Sequence, residues 1–283
     1  MRRWWACAWL FSLAACVQEA PPFPDPTALG LSEAPTEHVI AGAAIRKAAT
    51  ILGPDAKIKL YPGWRGRERG VAIYTLTSDS LAVSEVIGTY DECGCILLSN
   101  ARLEAWLVGE MGTGIGRLDI DRTSLLTYML LHEAGHVAQG KTPCGLALSG
   151  GAASATVDAR LNMTDTAQKV CERAADRYAS EAVRAALEHK GSDRGIVAAQ
   201  VAIALSELAF NLQAKRMLDR FGENIMRSPS LFRDLGLSHP NLEWRILSAN
   251  AMITPNPTSE ELLQAFETAR TEGPILLKLS PPS

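Results

Sequence analysis

Nothing in this sequence favours a polyanionic partner. Its 28 Lys and Arg are outnumbered by 31 Asp and Glu, the formal charge is −3, and the cations form no cluster. A protein that grips a phosphate backbone needs the opposite balance, so nucleic acid is not an expected ligand. Internal repeats are missing, which excludes architectures stacked from one recurring unit. No apolar run reaches the roughly 18–20 residues that a membrane-spanning helix requires. The most apolar internal stretch, residues 196–212, contains Gln200, Ser206, Glu207 and Asn211, which suits a buried helix of a globular core. Histidine is scarce, with five in 283 residues. Two of those five stand four positions apart.

At the N-terminus, Arg2 and Arg3 precede an apolar stretch over residues 4–15 that ends in Leu13-Ala14-Ala15-Cys16. This pattern resembles the lipobox of bacterial lipoproteins, which implies a signal peptide over residues 1–15 and a lipidated Cys16. Pro21, Pro22, Pro24, Pro26 and Pro35 make residues 16–35 read as a stiff tether, leaving 36–283 as the folded domain. Val17 follows Cys16, where some bacteria place an Asp to retain a lipoprotein at the inner membrane. The expected location is therefore the cell envelope, facing the periplasm, with the outer membrane favoured over the inner. With Cys7 and Cys16 accounted for, Cys93, Cys95, Cys144 and Cys171 remain. An even number in an oxidising compartment predicts two disulfides, in any of three pairings. The alternative is that Cys144 or Cys171 touches a metal.

The chain divides into a mixed first part and a helical second part. Thr36 can cap a helix through Val39, Ile40, Ala43, Ala44, Ala48 and Leu52, stopped by Gly53-Pro54. Strand-like segments follow at 57–61, 71–76, 83–90 and 95–98. A short helix is expected from Ser99 or Asn100, then a glycine-rich loop at 109–116 that lacks the Lys-Ser/Thr pair of a phosphate cradle. Asp121 or Thr123 caps a helix that runs into His136 and stops near Gly140. After a Gly, Ala and Ser-rich loop at 141–163, helices are expected from Thr164 or Thr166 to about 190, from Asp193 to about 222, after Pro240, and after Ser259.

The motif that carries chemistry is His132-Glu133-Ala134-Gly135-His136. On a helix, residues four apart share a face, so both imidazoles can meet one ion while Glu133 stands beside it. Composition alone produces this pattern about once in two hundred such chains. A catalytic Zn²⁺ takes a third protein ligand and keeps one position open. No His lies between His136 and His189, but Glu172 and Asp176 share a face of a largely apolar helix. Carboxylates there are costly unless compensated. Glu172 is therefore the expected third ligand beside His132 and His136, with Asp176 accepting an imidazole N–H from His132.

The order His-Glu-x-x-His, Glu172-x-x-Ala-Asp176, then Ser238-His239-Pro240 with Arg245-Ile246 resembles the HtpX/Oma-type gluzincins. That family includes the CaaX prenyl proteases and the BepA-like periplasmic peptidases. The resemblance spans about residues 120–250. It implies an α+β zincin-like fold, with a small mixed sheet on the active-site helix, an edge strand for substrate within residues 95–99, and a mainly helical C-terminal half. It implies further that His239 stabilises an oxyanion and that Arg245 organises Asp176. The segment before the first motif lacks the family's Asn-Ala-Phe-type strand, so the family's substrates are not carried over. The expected function is zinc-dependent endopeptidase action on envelope polypeptides, with Glu133 as general base and one Zn²⁺ per chain. The alternative is a zinc-containing envelope-assembly or quality-control lipoprotein that acts by binding, its site capped by loop 141–163.

Overall fold

The computed structural model describes residues 31–32, 39–62, 70–76, 87–90, 95–99, 120–139, 167–222, 242–257, 260 and 263. They form an α+β structure. The strands are β1 (Leu31–Ser32), β2 (Leu60–Pro62), β3 (Val71–Leu76), β4 (Ile87–Tyr90) and β5 (Cys95–Ser99). The helices are α1 (Val39–Leu52), α2 (Arg122–Gln139), α3 (Ala167–Leu187), α4 (Asp193–Gly222) and α5 (Leu242–Ile253). No helix among the described residues is long and apolar enough to cross a membrane.

The sheet runs β1-β3-β5-β4, with β2 pairing β3 off that path. β2 runs parallel to Val71, Ala72 and Ile73, while β1 lies antiparallel to Thr75 and Leu76, so the two share one edge of β3. β3 and β5 are parallel, and β4 is antiparallel to β5. One sequence expectation changes here. The segment at residues 95–99 is an inner strand, and β4 is the edge on that side of the sheet among the described residues. Fully buried Ile96, Leu97 and Leu98 explain this, because both faces of β5 are covered. Leu31 and Ser32, which precede the expected helix, pair with the end of β3. Main-chain hydrogen bonding needs no periodic side-chain pattern, so a two-residue strand leaves little trace in sequence.

Alternation places Val71, Ile73, Ile87, Ile96 and Leu98 in one apolar cluster with the helices. From α1 come Ala41, Ala44, Ile45, Ala48 and Ile51; from α2, Leu125, Leu126, Leu130 and Leu131. α2 is the central element, packed by α1, α3, α4 and β4 and buried from Ser124 to His136 apart from the half-buried Met129. Asp121 settles its start: Oδ1 accepts from the Ser124 N–H at 3.1 Å, an N-cap that satisfies an otherwise orphaned donor. Partial burial works against the charge on Asp121, but hydrogen bonds from Ser124 and Lys47 hold its carboxyl below the usual range.

α2 and α3 approach closely because the contact is made of small residues. A Cβ on Gly135 would lie 2.8 Å from the Ala175 Cα and 3.0 Å from its carbonyl oxygen. Ala175 and Ala179 are fully buried on the facing side. Tyr128 reaches across the same contact, donating to the Asp176 carbonyl at 3.2 Å and meeting the Ser180 hydroxyl at 3.0 Å. At the other end Gln139 donates to the Cys171 carbonyl at 3.2 Å. These bonds fix the spacing and rotation of the two helices that carry the motif residues.

Gly135→Ala tests this close approach, because two effects oppose each other in it. Alanine is the better helix former by about 1 kcal/mol. The added methyl would press on backbone that cannot move aside, at a cost of about 1–3 kcal/mol. The expected outcome is a net loss of stability, read as a lower urea midpoint at unchanged slope. A rise in midpoint would mean that the helices do not rest on each other here.

Candidate metal centre

Three side chains from two helices converge on one point. His132 and His136 come from successive turns of α2, and Glu172 from the first turns of α3. The rings stand nearly perpendicular, at 89°, with centroids 4.6 Å apart. That arrangement brings the two Nε2 atoms within 3.1 Å of each other. Glu172 sits against both, with Oε2 3.2 Å from His132 Nε2 and Oε1 3.4 Å from His136 Nε2. A tetrahedral ion with ligand bonds of about 2.0–2.1 Å spaces its donors about 3.3–3.4 Å apart. The nearest donor atoms of the three side chains approach that spacing, each imidazole facing a different oxygen of Glu172, and all three residues are buried, so this group can hold a metal ion.

The supporting residues orient the donors. His132 Nδ1 lies 2.8 Å from Asp176 Oδ1. An ionised carboxylate only accepts, so Nδ1 carries the proton in this contact and Nε2 is the atom that can turn a lone pair to a metal. Asp176 is gripped by Arg245 of α5 through a bidentate fork, with Nε to Oδ2 and Nη2 to Oδ1, both 2.8 Å. Arg245 Nη2 also lies 3.5 Å from Glu172 Oε2. One guanidinium thus stands beside both buried carboxylates. Arg173 of α3 adds a cation–π contact to α5, its guanidinium lying 4.5 Å over the Trp244 ring.

Burial and charge work against each other throughout the cluster. Burial opposes protonation of His132, but the charge and hydrogen bond of Asp176, with help from Glu172, push its pKa up to about 9. Burial likewise raises Asp176 and Glu172. The charges and hydrogen bonds of His132 and Arg245 hold Asp176 below the usual carboxylate range, and those of His132 and His136 hold Glu172 well below it. The two carboxylates thus face a guanidinium and a pair of imidazoles.

Glu133 is buried beside this group, and its carboxylate meets β4. Thr89 Oγ1 lies 2.8 Å from Glu133 Oε2 and 3.1 Å from the Glu133 carbonyl oxygen. Sequence reasoning missed Thr89, since a lone Thr on a short strand 44 positions away carries no local signal. The structure gathers His132, Glu133, His136, Glu172, Asp176 and Arg245. His239, Cys16, Cys93 and Cys144 lie outside the described residues, as does loop 141–163. Cys95 and Cys171 are each disulfide-bonded, which removes Cys171 as a thiolate ligand. No protein-family profile, curated protein or solved structure matches the chain.

Asp176→Asn keeps the size of the side chain but gives up the charge that Arg245 and His132 share. Substitutions of residues that orient metal ligands cost about 10–100-fold in metal affinity. A loss of that size is expected in competition titration against a chromophoric zinc chelator. An unchanged affinity would show that Asp176 does not prepare His132 for a metal.

Proposed function

We propose that the chain is a zinc-dependent endopeptidase of the gluzincin type with a zincin-like fold, acting on polypeptides at the periplasmic face of the cell envelope. The observation that carries this reading is the position of Glu172. It comes from a separate helix yet lies 3.2 and 3.4 Å from the two Nε2 atoms of the His-Glu-x-x-His helix. Two nitrogens and one carboxylate, which leave one position of a tetrahedral ion to a fourth partner, are the donor set of a catalytic rather than a structural zinc site. A zinc ion held there would supply Lewis-acid polarisation of the scissile carbonyl and acidify a water.

The protein's own residues supply the remaining steps. Glu133 takes a proton from the attacking water and passes it to the leaving amine as the C–N bond breaks. Asp176 keeps the His132 proton on Nδ1, and Arg245 keeps Asp176 ionised and aimed. His239, through the resemblance to HtpX/Oma-type peptidases, donates to the oxyanion of the tetrahedral state. The envelope setting draws on the lipobox-like Cys16 and on the disulfide-bonded Cys95 and Cys171, which suit an oxidising compartment.

Glu133→Gln separates chemistry from metal binding. The variant should retain one zinc per chain and lose casein cleavage by about 100-fold or more. A chelator should abolish wild-type cleavage, and added zinc should restore it. Wild-type rates in Glu133→Gln would sink the general-base assignment.

A further inference from the structure

We propose that Thr89 is the positioning residue of Glu133, holding its carboxylate in the orientation the hydrolytic step requires. The inference deepens the peptidase reading and rests on it. Glu133 belongs to the helix that carries both histidines, but the contacts that fix those histidines do not reach it. His132 is tied by Asp176 and Arg245, and Glu172 lies against both imidazoles. Among the described residues, Thr89 supplies the side-chain hydrogen bond to Glu133.

The geometry is that of a brace. Thr89 and Ile87 lie on the same face of β4, and Ile87 enters the apolar cluster with α2, so Thr89 points at the helix from within the protein. Its Oγ1 stands between two oxygens of one residue, the carboxylate Oε2 at 2.8 Å and the main-chain oxygen at 3.1 Å. The far end of a flexible side chain is thereby tied near its own backbone. A free Glu side chain loses rotamer entropy when it is ordered. Here that ordering is completed in the folded protein, before substrate arrives. The bond occupies Oε2 and leaves Oε1 for the water and its proton. Being on β4, the edge strand, Thr89 also links the position of the base to that of the sheet margin beside it.

Thr89→Val removes the hydroxyl at nearly constant shape, and Thr89→Ser keeps it. Each would be compared with wild type for zinc content, kcat, KM and the ¹³C NMR signal of the Glu133 carboxyl carbon. That signal is identified by its disappearance in Glu133→Gln. The expected result for Thr89→Val is one zinc per chain, KM within about twofold, kcat lower by about 10–100-fold, and a displaced carboxyl signal in zinc-loaded and metal-free protein alike. Thr89→Ser should bring kcat and the signal back toward wild type. A Thr89→Val protein with wild-type kcat, an effect confined to KM, or an unmoved carboxyl signal would overturn the proposal. If Thr89→Val does not fold, Thr89→Ala is read the same way. Should the wild-type protein cleave no polypeptide, the peptidase reading falls, and the carboxyl signal alone then decides whether Thr89 holds Glu133.

Discussion

The fork between Arg245 and Asp176 is the interaction on which the centre depends. Two carboxylates on a helix lined with alanine are costly to bury, and the protein answers with a guanidinium aimed at one and lying beside the other. Everything nearer the metal position follows from that pairing. Asp176 stays ionised, so it accepts a hydrogen bond from Nδ1–H of His132, and Nε2 is left facing Glu172 and His136. Removing one member of such a set leaves the others charged and unsatisfied, at about 3–5 kcal/mol for a buried pair. The centre is better described as one electrostatic unit than as three ligands with supports.

Packing sets the distances that this unit requires. Glycine at 135 and alanine at 175 let α2 and α3 touch backbone to backbone, and Glu172 is thereby carried to both histidines. The sheet contributes from the other side. β4 lies against α2 and brings Thr89 to the carboxylate that the ligand network leaves alone. The disulfide-bonded positions Cys95 and Cys171 fall at the start of the inner strand and immediately before Glu172.

What could be read in the sequence was what repeats with a local period. Residues 39–52, 122–139, 167–187 and 193–222 announce helices through apolar spacing and caps, and the structure has helices there. The histidine pair is legible because four residues is one helical turn. Glu172 and Asp176 are legible because charge on an apolar helix face demands a reason. Arg245 entered only through the resemblance of a short motif, since 69 residues separate it from Asp176. Sheet order is non-local, so residues 95–99 looked the same as an edge strand as they do in the interior. The alternating segment at 57–61 was expected to be extended throughout, but pairing begins at Leu60, where β3 supplies a partner.

The span between Arg245 and the ligands has a consequence for how the centre is born. Arg245 contacts His132 across 113 positions, so the last piece of the unit arrives only when α5 has docked. Contacts of that range form after the loop between them has closed, late relative to the local turns of α2 and α3. Until then the nascent site holds carboxylates without their guanidinium, and His132 lacks a firmly oriented partner. A chain still folding would therefore carry its histidines and its glutamate before the guanidinium that braces them.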